Sequence, residues 1–443
     1  MIGFPKKFIN ISEYAQFRQK GMIPPVNVEQ FLQIQLKRHE ENGFPHKKLE
    51  EWRYFPFQKI QKAGYIFSDF PEQKEKLKIT SVHPSAITLK IQNGIPILPK
   101  TSKGFSVFSW KEALEGKKDL PPEIKPFIFK SMESQREGLC PLNSALSLNG
   151  LIILIKEPLK QPLEIQYSYH TFPNQPSADN LRNFIFLQEK SQAQIIETFY
   201  GNELPEQSPV LLNLQTDAFI GKEAHLEFIR LDQGKEKDTY LNHFFCEMSP
   251  EAKASLFTLS MQSGTSRFLT HLFQKEKSVS EIRGLSLLGE GKYTDHQVTA
   301  EHLGEEGISR QFYQSLLFQS ARHIFKGMTR IEKPAQKTDA QQLNKNLILG
   351  ERAVAVSAPE LDIKADDVKA SHGSSTSSLE ENRALLFYLQ SRGISLSHAL
   401  NLLLSSMIKE ALPSLDFNTS PILETLILNH LQSLQPSFSK TRE

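Results

Sequence analysis

The stretch "VLLNLQTDAFIGKEAHLEFIRLD", residues 210–232, decides the fold class. It holds two apolar-rich runs, rich in Leu, Phe and Ile, with only Gly-Lys-Glu-Ala between them. That is too short a link for a crossover helix. Working outward, similar short runs follow one another: "LEIQYSYH", "NFIFLQ" and "AQIIETFY" before it, then "ASLFTLSMQ", "EIRGLSLLG" and "QFYQSLLFQ" after it. Gly, Asn, Asp, Lys or Glu separate them. Between residues 160 and 363 no segment combines caps with a sustained 3.6 period, so the strand–helix alternation of a βαβ fold is missing. Upstream, "ITLKIQNGIPIL" alternates Ile87, Leu89 and Ile91 against Thr88, Lys90 and Gln92, and Asn93-Gly94 signals a two-residue hairpin. The centre of the chain is therefore all-β. No tight internal repeat is visible, so a propeller is not indicated. A sandwich, a barrel or a parallel β-helix all fit the pattern.

Helices are expected at both ends. In "NVEQFLQIQLKRHEENGFP", Asn27 and Gln30 have capping-box spacing, Val28, Phe31, Leu32, Ile34 and Leu36 supply an apolar face, and Gly43 and Pro45 close the helix. Near the other end, Ser378 and Glu381 repeat the capping box before "EENRALLFYLQSR", which stops at Gly393. Ser395 caps "LSHALNLLLSSMIKEAL", with Leu396, Ala399, Leu400, Leu403 and Met407 expected on one face, closed by Pro413. Ser420-Pro421 opens "ILETLILNHLQSL", with Pro at the favoured first position. Its apolar content exceeds one narrow stripe, which fits either packing on neighbouring helices or a docking surface.

A chain of 443 residues buries a large core. A net charge of +2 with no dense basic block speaks against nucleic-acid binding. The two cysteines, Cys140 and Cys246, are too few for a disulfide framework and suit a reducing compartment, hence a cytoplasmic location. The N-terminus lacks a signal-like apolar core, so export is not expected. No apolar run reaches membrane-spanning length, so no membrane role is expected.

Few motifs carry chemistry. "GLSLLGEGK" has Gly284 and Gly289 at phosphate-loop spacing, but Glu290 stands where Lys is needed, so a strand and turn are expected instead. His296 and His302, beside Asp295 and Glu301, have ligand chemistry but no HExxH pattern; solvent-facing side chains, or side chains bonding neighbouring turns, are expected. Asp366 and Asp367, taken as strand neighbours, point to opposite faces and make no acid–base pair; the same holds for Ser371 and His372. His372, in "KASHGSS" (residues 369–375), remains the best single candidate. It is an accessible imidazole among small residues, at an expected junction between the strand-like "LDIKADDV" and the next helix.

The residues around it resemble the C-terminal signature of the SufB/SufD family of iron–sulfur cluster assembly scaffolds. Pro359, Leu361, Ile363, Ala365, Asp366, Asp367, Val368, Lys369, Ser371, His372 and Gly373 match P-x-L-E-I-x-A-D-D-V-K-C-S-H-G, and "LFYLQSRGI" matches the segment that follows. "HIFKGMTRIEKPAQKTDAQQLNKNLIL" resembles the preceding family segment. "GFPHKKLEEWRYFPF" resembles the N-terminal signature of the SufD branch. The resemblance implies a mainly β fold: a right-handed parallel β-helix core, residues 86–372, entered by the hairpin near 87–98. N-terminal (1–85) and C-terminal (373–443) helical regions flank it.

It also implies a non-catalytic scaffold subunit that pairs with a SufB-type scaffold and binds a SufC-type ABC ATPase, with self-pairing as a further option. The ATPase would dock on the C-terminal helices, where Phe387, Tyr388, Arg392, Gly393, Leu400, Leu403 and Met407 are the candidate contacts. His372 would supply an iron ligand to a transient iron–sulfur cluster shared with the SufB-type partner, with none held stably by this chain alone. One departure is clear: the motif cysteine is Ala370 here. Low cysteine usage favours the SufD branch over the SufB branch. A carbohydrate-active β-helix enzyme is the alternative from another class, and it lacks the expected secretion signal.

Overall fold

The structure is a computed structural model that describes residues 26–43, 45–67, 79–98, 104–133, 139–201 and 208–434. The N-terminal stretch read for a signal lies outside these residues. Helices are α1 Val26–Asn42, α2 Phe57–Ala63, α3 Trp110–Leu114, α4 Lys125–Glu133 and α5 Cys140–Leu146, then α6 Arg383–Ser391, α7 Leu396–Ala411 and α8 Thr419–Leu434. Strands begin with β1 Ile66–Phe67, β2 Ile87–Gln92, β3 Ile95–Ile97, β4 Phe105–Ser109, β5 Leu151–Ile155 and β6 Leu163–Ser168. They continue with β7 Ser177–Leu187, β8 Gln192–Tyr200, β9 Val210–Ile220, β10 His225–Gln233, β11 Thr239–Met248, β12 Lys253–Ser260 and β13 Thr265–Gln274. The last are β14 Val279–Leu288, β15 Tyr293–His302, β16 Ile308–Leu317, β17 Arg322–Ile331, β18 Asp339–Ile348, β19 Val354–Ile363 and β20 Lys369–Ser378.

The strands divide between two sheets by parity. One runs β4-β5-β7 and on through the odd strands to β19; the other runs β3-β2-β6-β8 and on through the even strands to β20. From β5 and β6 onward each strand pairs in parallel with the strand two places away; before them β2 pairs in parallel with β6 and β1 with β7, while the β2–β3 and β4–β5 pairs are antiparallel. A chain that alternates sheets while pairing with i+2 is a parallel β-solenoid, which settles the choice left open by the sequence pattern. The Asn93-Gly94 hairpin is present: both residues have positive φ, 51° and 77°, as a two-residue I′ turn requires.

Four-residue corners make the solenoid possible. In "QEKS" (188–191), "GKEA" (221–224), "SPEA" (249–252) and "KEKS" (275–278), the third residue takes φ between 55° and 61°. The fourth is a buried Ser or Ala. Corners also bond to one another: Lys190 N–H donates to Lys222 O and Lys277 N–H to Glu305 O, both at 2.9 Å. The left-handed residues are Lys or Glu rather than Gly, so no glycine signal marks the repeat.

Alternate residues of each strand point into the solenoid. The interior of the early turns is apolar, with Leu163, Ile165, Ile195, Phe199, Leu226 and Leu256 in one cluster. The opposite residues of the even sheet, among them Ile229, Leu231, Phe257, Leu259 and Leu285, face outward and are covered by α7 and α8 through Leu404, Ile408, Leu423, Ile427 and Leu431. This corrects the sequence expectation for α7. Leu396 is exposed, and the buried positions are Ala399, Leu404, Ile408 and Ala411. Leu403 and Met407 flank that stripe and are half-buried. The apolar excess of α8 is spent on the sheet, and α8 begins at Thr419, two residues before Pro421.

The other caps behave as expected. Ser395 Oγ accepts from His398 N–H. The Ser378–Glu381 box is made in both directions, yet α6 starts only at Arg383, so the box closes a turn ahead of the helix. At the N-terminal end Gly43 ends α1 with φ 69°; the side chains of the Asn27–Gln30 pair lie outside the described residues. Trp52, Phe55 and Phe57, from the aromatic segment after α1, are buried against the odd sheet. The Arg267 guanidinium sits 4.0 Å from the Trp52 ring centroid, a cation–π contact that fixes this segment.

Candidate functional site

The last turn of the solenoid carries the candidate. "KASHGSS" is not a junction but part of β20, an extended strand of ten residues that continues to Ser378. The strand state comes from pairing rather than propensity: Ser and Gly are poor strand formers, but β20 lies in register with β18 along its length. "LDIKADDV" is correspondingly not one strand. β19 ends at Ile363, and Asp366 and Asp367 occupy the exposed turn before β20. There Asp367 N–H donates to Gln336 Oε1 and Asp367 O accepts from Lys337 N–H, so the turn is held through the Asp367 backbone rather than by a carboxylate pair.

Register and period together place His372. Ala340 faces Ala370, Gln342 faces His372, Asn344 faces Ser374 and Asn346 faces Thr376. Asn346 Nδ2 donates to Thr376 Oγ1 at 3.2 Å, and Ala370 packs with Ala340, Ile331 and Ala365. Ala370, His372, Ser374 and Thr376 thus share the inward face of the final turn. His372 is nonetheless exposed, because among the described residues no further strand pairs with β20 or with β19. An inward-facing imidazole in an uncovered turn is presented along the solenoid axis. Ala370, at the motif cysteine position, lies two residues away on the same face, so the thiol missing here would have stood beside the imidazole.

The candidate docking residues separate into two groups. Phe387 is 72% exposed and Tyr388 54%, with Leu385 also exposed beside them on α6. The Arg392 guanidinium lies 5.3 Å from the Tyr388 ring centroid, and Gly393 ends the helix with φ 85°. Leu400, Leu403 and Met407 are half-buried on α7, and the latter two belong to the packing between helix and sheet. The cysteines are both buried. Cys246 lies in the solenoid interior, where burial pushes its thiol far above the usual range. Cys140 Sγ is 3.5 Å from His243 Nδ1.

His296 and His302 do not face solvent; of the two expectations, bonding to neighbouring turns is the one that holds, through Ser286 for His296 and Ser309 for His302. Both lie on the single strand β15 and both are buried inside the solenoid, 1% and 0% exposed. Burial lowers the His302 pKa to about 4, and its Nε2 meets Ser309 Oγ at 2.9 Å. No apolar alternation marks "YTDHQVTAEH" as half-interior, so no local pattern signals this burial. "GLSLLGEGK" is the expected strand and turn, β14 followed by a corner. Among the described residues no three His, Cys, Asp or Glu side chains group as a metal site.

A groove of about 1060 Å³, which sequence reasoning missed, lies on the odd sheet beside Trp52, Phe245, Phe273 and Met328. His271, which lines it, has its Nε2 2.9 Å from Glu301, and that contact holds the Glu301 carboxyl below its usual range.

Fold and site define a class: a parallel β-solenoid, closed over by helices along one sheet, that offers an imidazole at an uncovered end. The chain belongs to the SufBD family: the model described as "SUF system FeS cluster assembly, SufBD core domain" matches residues 170–407. Its relatives agree. The chain is 24% identical over 384 residues to an iron–sulfur cluster assembly SufBD family protein of Synechocystis, spanning 83% of each. It is 24% identical to the iron–sulfur cluster assembly protein SufD of Escherichia coli, over 93% of this chain and 94% of that protein. It is 28% identical to the chloroplastic protein ABCI7 of Arabidopsis thaliana over 60% of this chain. Among the described residues no helix is long and apolar enough to cross a membrane.

Proposed function

We propose that this chain is a SufD-type, non-catalytic scaffold subunit of a cytoplasmic SUF complex. Its open solenoid end pairs with a SufB-type scaffold, and His372 lends an imidazole to an iron–sulfur cluster assembled between the two. The carrying observation is the exposure of His372 on the inward face of a turn that none of the described residues covers with a further strand. A neutral imidazole is a competent iron ligand, and thiolates from a second subunit would supply the softer donors that Ala370 does not. The buried state of Cys140 and Cys246 supports the SufD type, because neither thiol stands at the surface to receive sulfur.

The exposed Leu385, Phe387 and Tyr388 of α6 suit docking of a SufC-type ATPase. Co-expression with a tagged SufC-type ATPase and a SufB-type scaffold tests the assignment. We expect all three to copurify, and Phe387→Asp with Tyr388→Asp to release the ATPase while the scaffold pair remains. A chain that elutes alone, or only as a pair of identical copies, with both partners present at micromolar concentration contradicts the assignment.

A further inference from the structure

Among the buried imidazoles of the last turns, two stand side by side and are not used by cluster assembly at His372. His296 on β15 and His323 on β17 are inward-facing diagonal neighbours, since Thr294 is in register with His323 and His296 with Phe325. Both are essentially unexposed, 1% and 0%. Their ring centroids are 5.5 Å apart. His296 Nδ1 and the His323 ring nitrogens make no hydrogen bond of good geometry, although the Asn346 amide lies close enough to bear on His323. Buried polar atoms are nearly always partnered, so these under-satisfied nitrogens in two adjacent rings point to a partner beyond the hydrogen bonds the described residues supply.

A metal ion satisfies these constraints together. Two metal–nitrogen bonds of about 2.0–2.1 Å at a tetrahedral angle put the ring centroids roughly 5–6 Å apart. Ligating histidines usually turn the remaining N–H to an outer acceptor. His296 Nε2 meets Ser286 Oγ at 3.3 Å and Ser260 Oγ at 3.5 Å, which leaves Nδ1 as the free lone pair. Desolvation lowers the pKa of both rings, so both are neutral, the form that ligates. The nearby Arg230 charge, which also bears on His296, is offset by Glu197, 2.6 Å from its Nε.

There is also a way in. His323 lies directly beneath Ala355, and Asn346, with Thr376 above it, lies beside His323. Only one layer of small side chains, about 4.8 Å thick, separates His323 from the uncovered end.

We propose that His296 and His323 form an internal site for one first-row divalent transition-metal ion, separate from His372 and entered through the open end of the solenoid. Water or neighbouring hydroxyl and amide oxygens fill the other positions. Titration of the purified full-length chain with Co²⁺ tests this. We expect one ion per chain, with a visible ligand-field band that His372→Ala leaves intact and that His296→Gln and His323→Gln each weaken at least tenfold in affinity. Ser260→Ala with Ser286→Ala should weaken it by about 10–100-fold. His323→Cys should keep the ion and add thiolate-to-cobalt charge transfer, which decides the matter if the glutamine variants do not fold. No Co²⁺ binding, a band lost in His372→Ala, or a folded His323→Cys variant without the charge-transfer band overturns the proposal.

Discussion

Replacing Glu197 by Leu probes the interior most sharply. Glu197 points inward from β8, 0% exposed, and meets the Arg230 Nε at 2.6 Å; Arg230 is itself only 2% exposed. The Tyr167 hydroxyl also donates to Glu197, at 2.8 Å. Removing the carboxylate leaves a guanidinium buried without its counter-charge, a loss of about 3–5 kcal/mol. The Tyr167 hydroxyl loses its acceptor as well, about 1–3 kcal/mol. Replacing Arg230 by Met in the same chain removes the orphaned charge and leaves an apolar chain against Phe228 and Phe244, whose ring centroids lie 5.3 and 6.0 Å from the guanidinium. The double variant should then retain only the Tyr167 deficit, about 1–3 kcal/mol. The two variants should therefore differ by about 3–5 kcal/mol. Equilibrium denaturation in guanidinium chloride, followed by far-ultraviolet circular dichroism, reads that difference. If single and double variants fall within about 1 kcal/mol of each other, the pair is hydrated rather than dry and the sealed interior is refuted.

Two other outcomes follow from burial. His302 has a folded pKa of about 4 against 6.5 for the free side chain. The unfolded chain therefore takes up a proton that the folded one refuses, and the stability tied to a neutral His302 is present above pH 6.5 and lost as pH falls to about 4. The loss is on the order of 3 kcal/mol, and denaturation midpoints of His302→Gln should show a flatter pH dependence over that window. Leu404 lies against the even sheet at 2% exposure; Leu404→Ala should cost about 2–5 kcal/mol, and hydrogen exchange should rise first in α7 and α8 while the inner strands stay protected.

Much of the fold is legible in the sequence where one residue type does one job. Asn93-Gly94 can hardly be anything but a tight turn, and Ser395 caps α7 as its spacing says. The solenoid itself is less legible, for a physical reason. Its corners turn on left-handed Lys and Glu residues followed by a small buried Ser or Ala, and at 190, 223, 251 and 277 these recur at unequal intervals, so no period is visible. The later interior is polar, which removes the apolar alternation that would have placed His296 and His302 inside. β20 is the extreme case: apart from Thr376 no residue of "KASHGSSTSS" favours a strand, and pairing with β18 imposes one. His372 itself was found by its motif, whereas its inward orientation and its exposure follow from register and from the missing next layer, which no local pattern encodes. The offset of the α7 stripe has a similar origin, since the sheet beneath decides which of several Leu positions is covered.

The most direct measurement is the iron and acid-labile sulfide content of the reconstituted complex with His372→Ala in place of the parent chain. The complex should form with unchanged stoichiometry and hold little or no cluster. A His372→Ala complex that matures cluster at the parent rate would contradict the placement of this imidazole in the shared site.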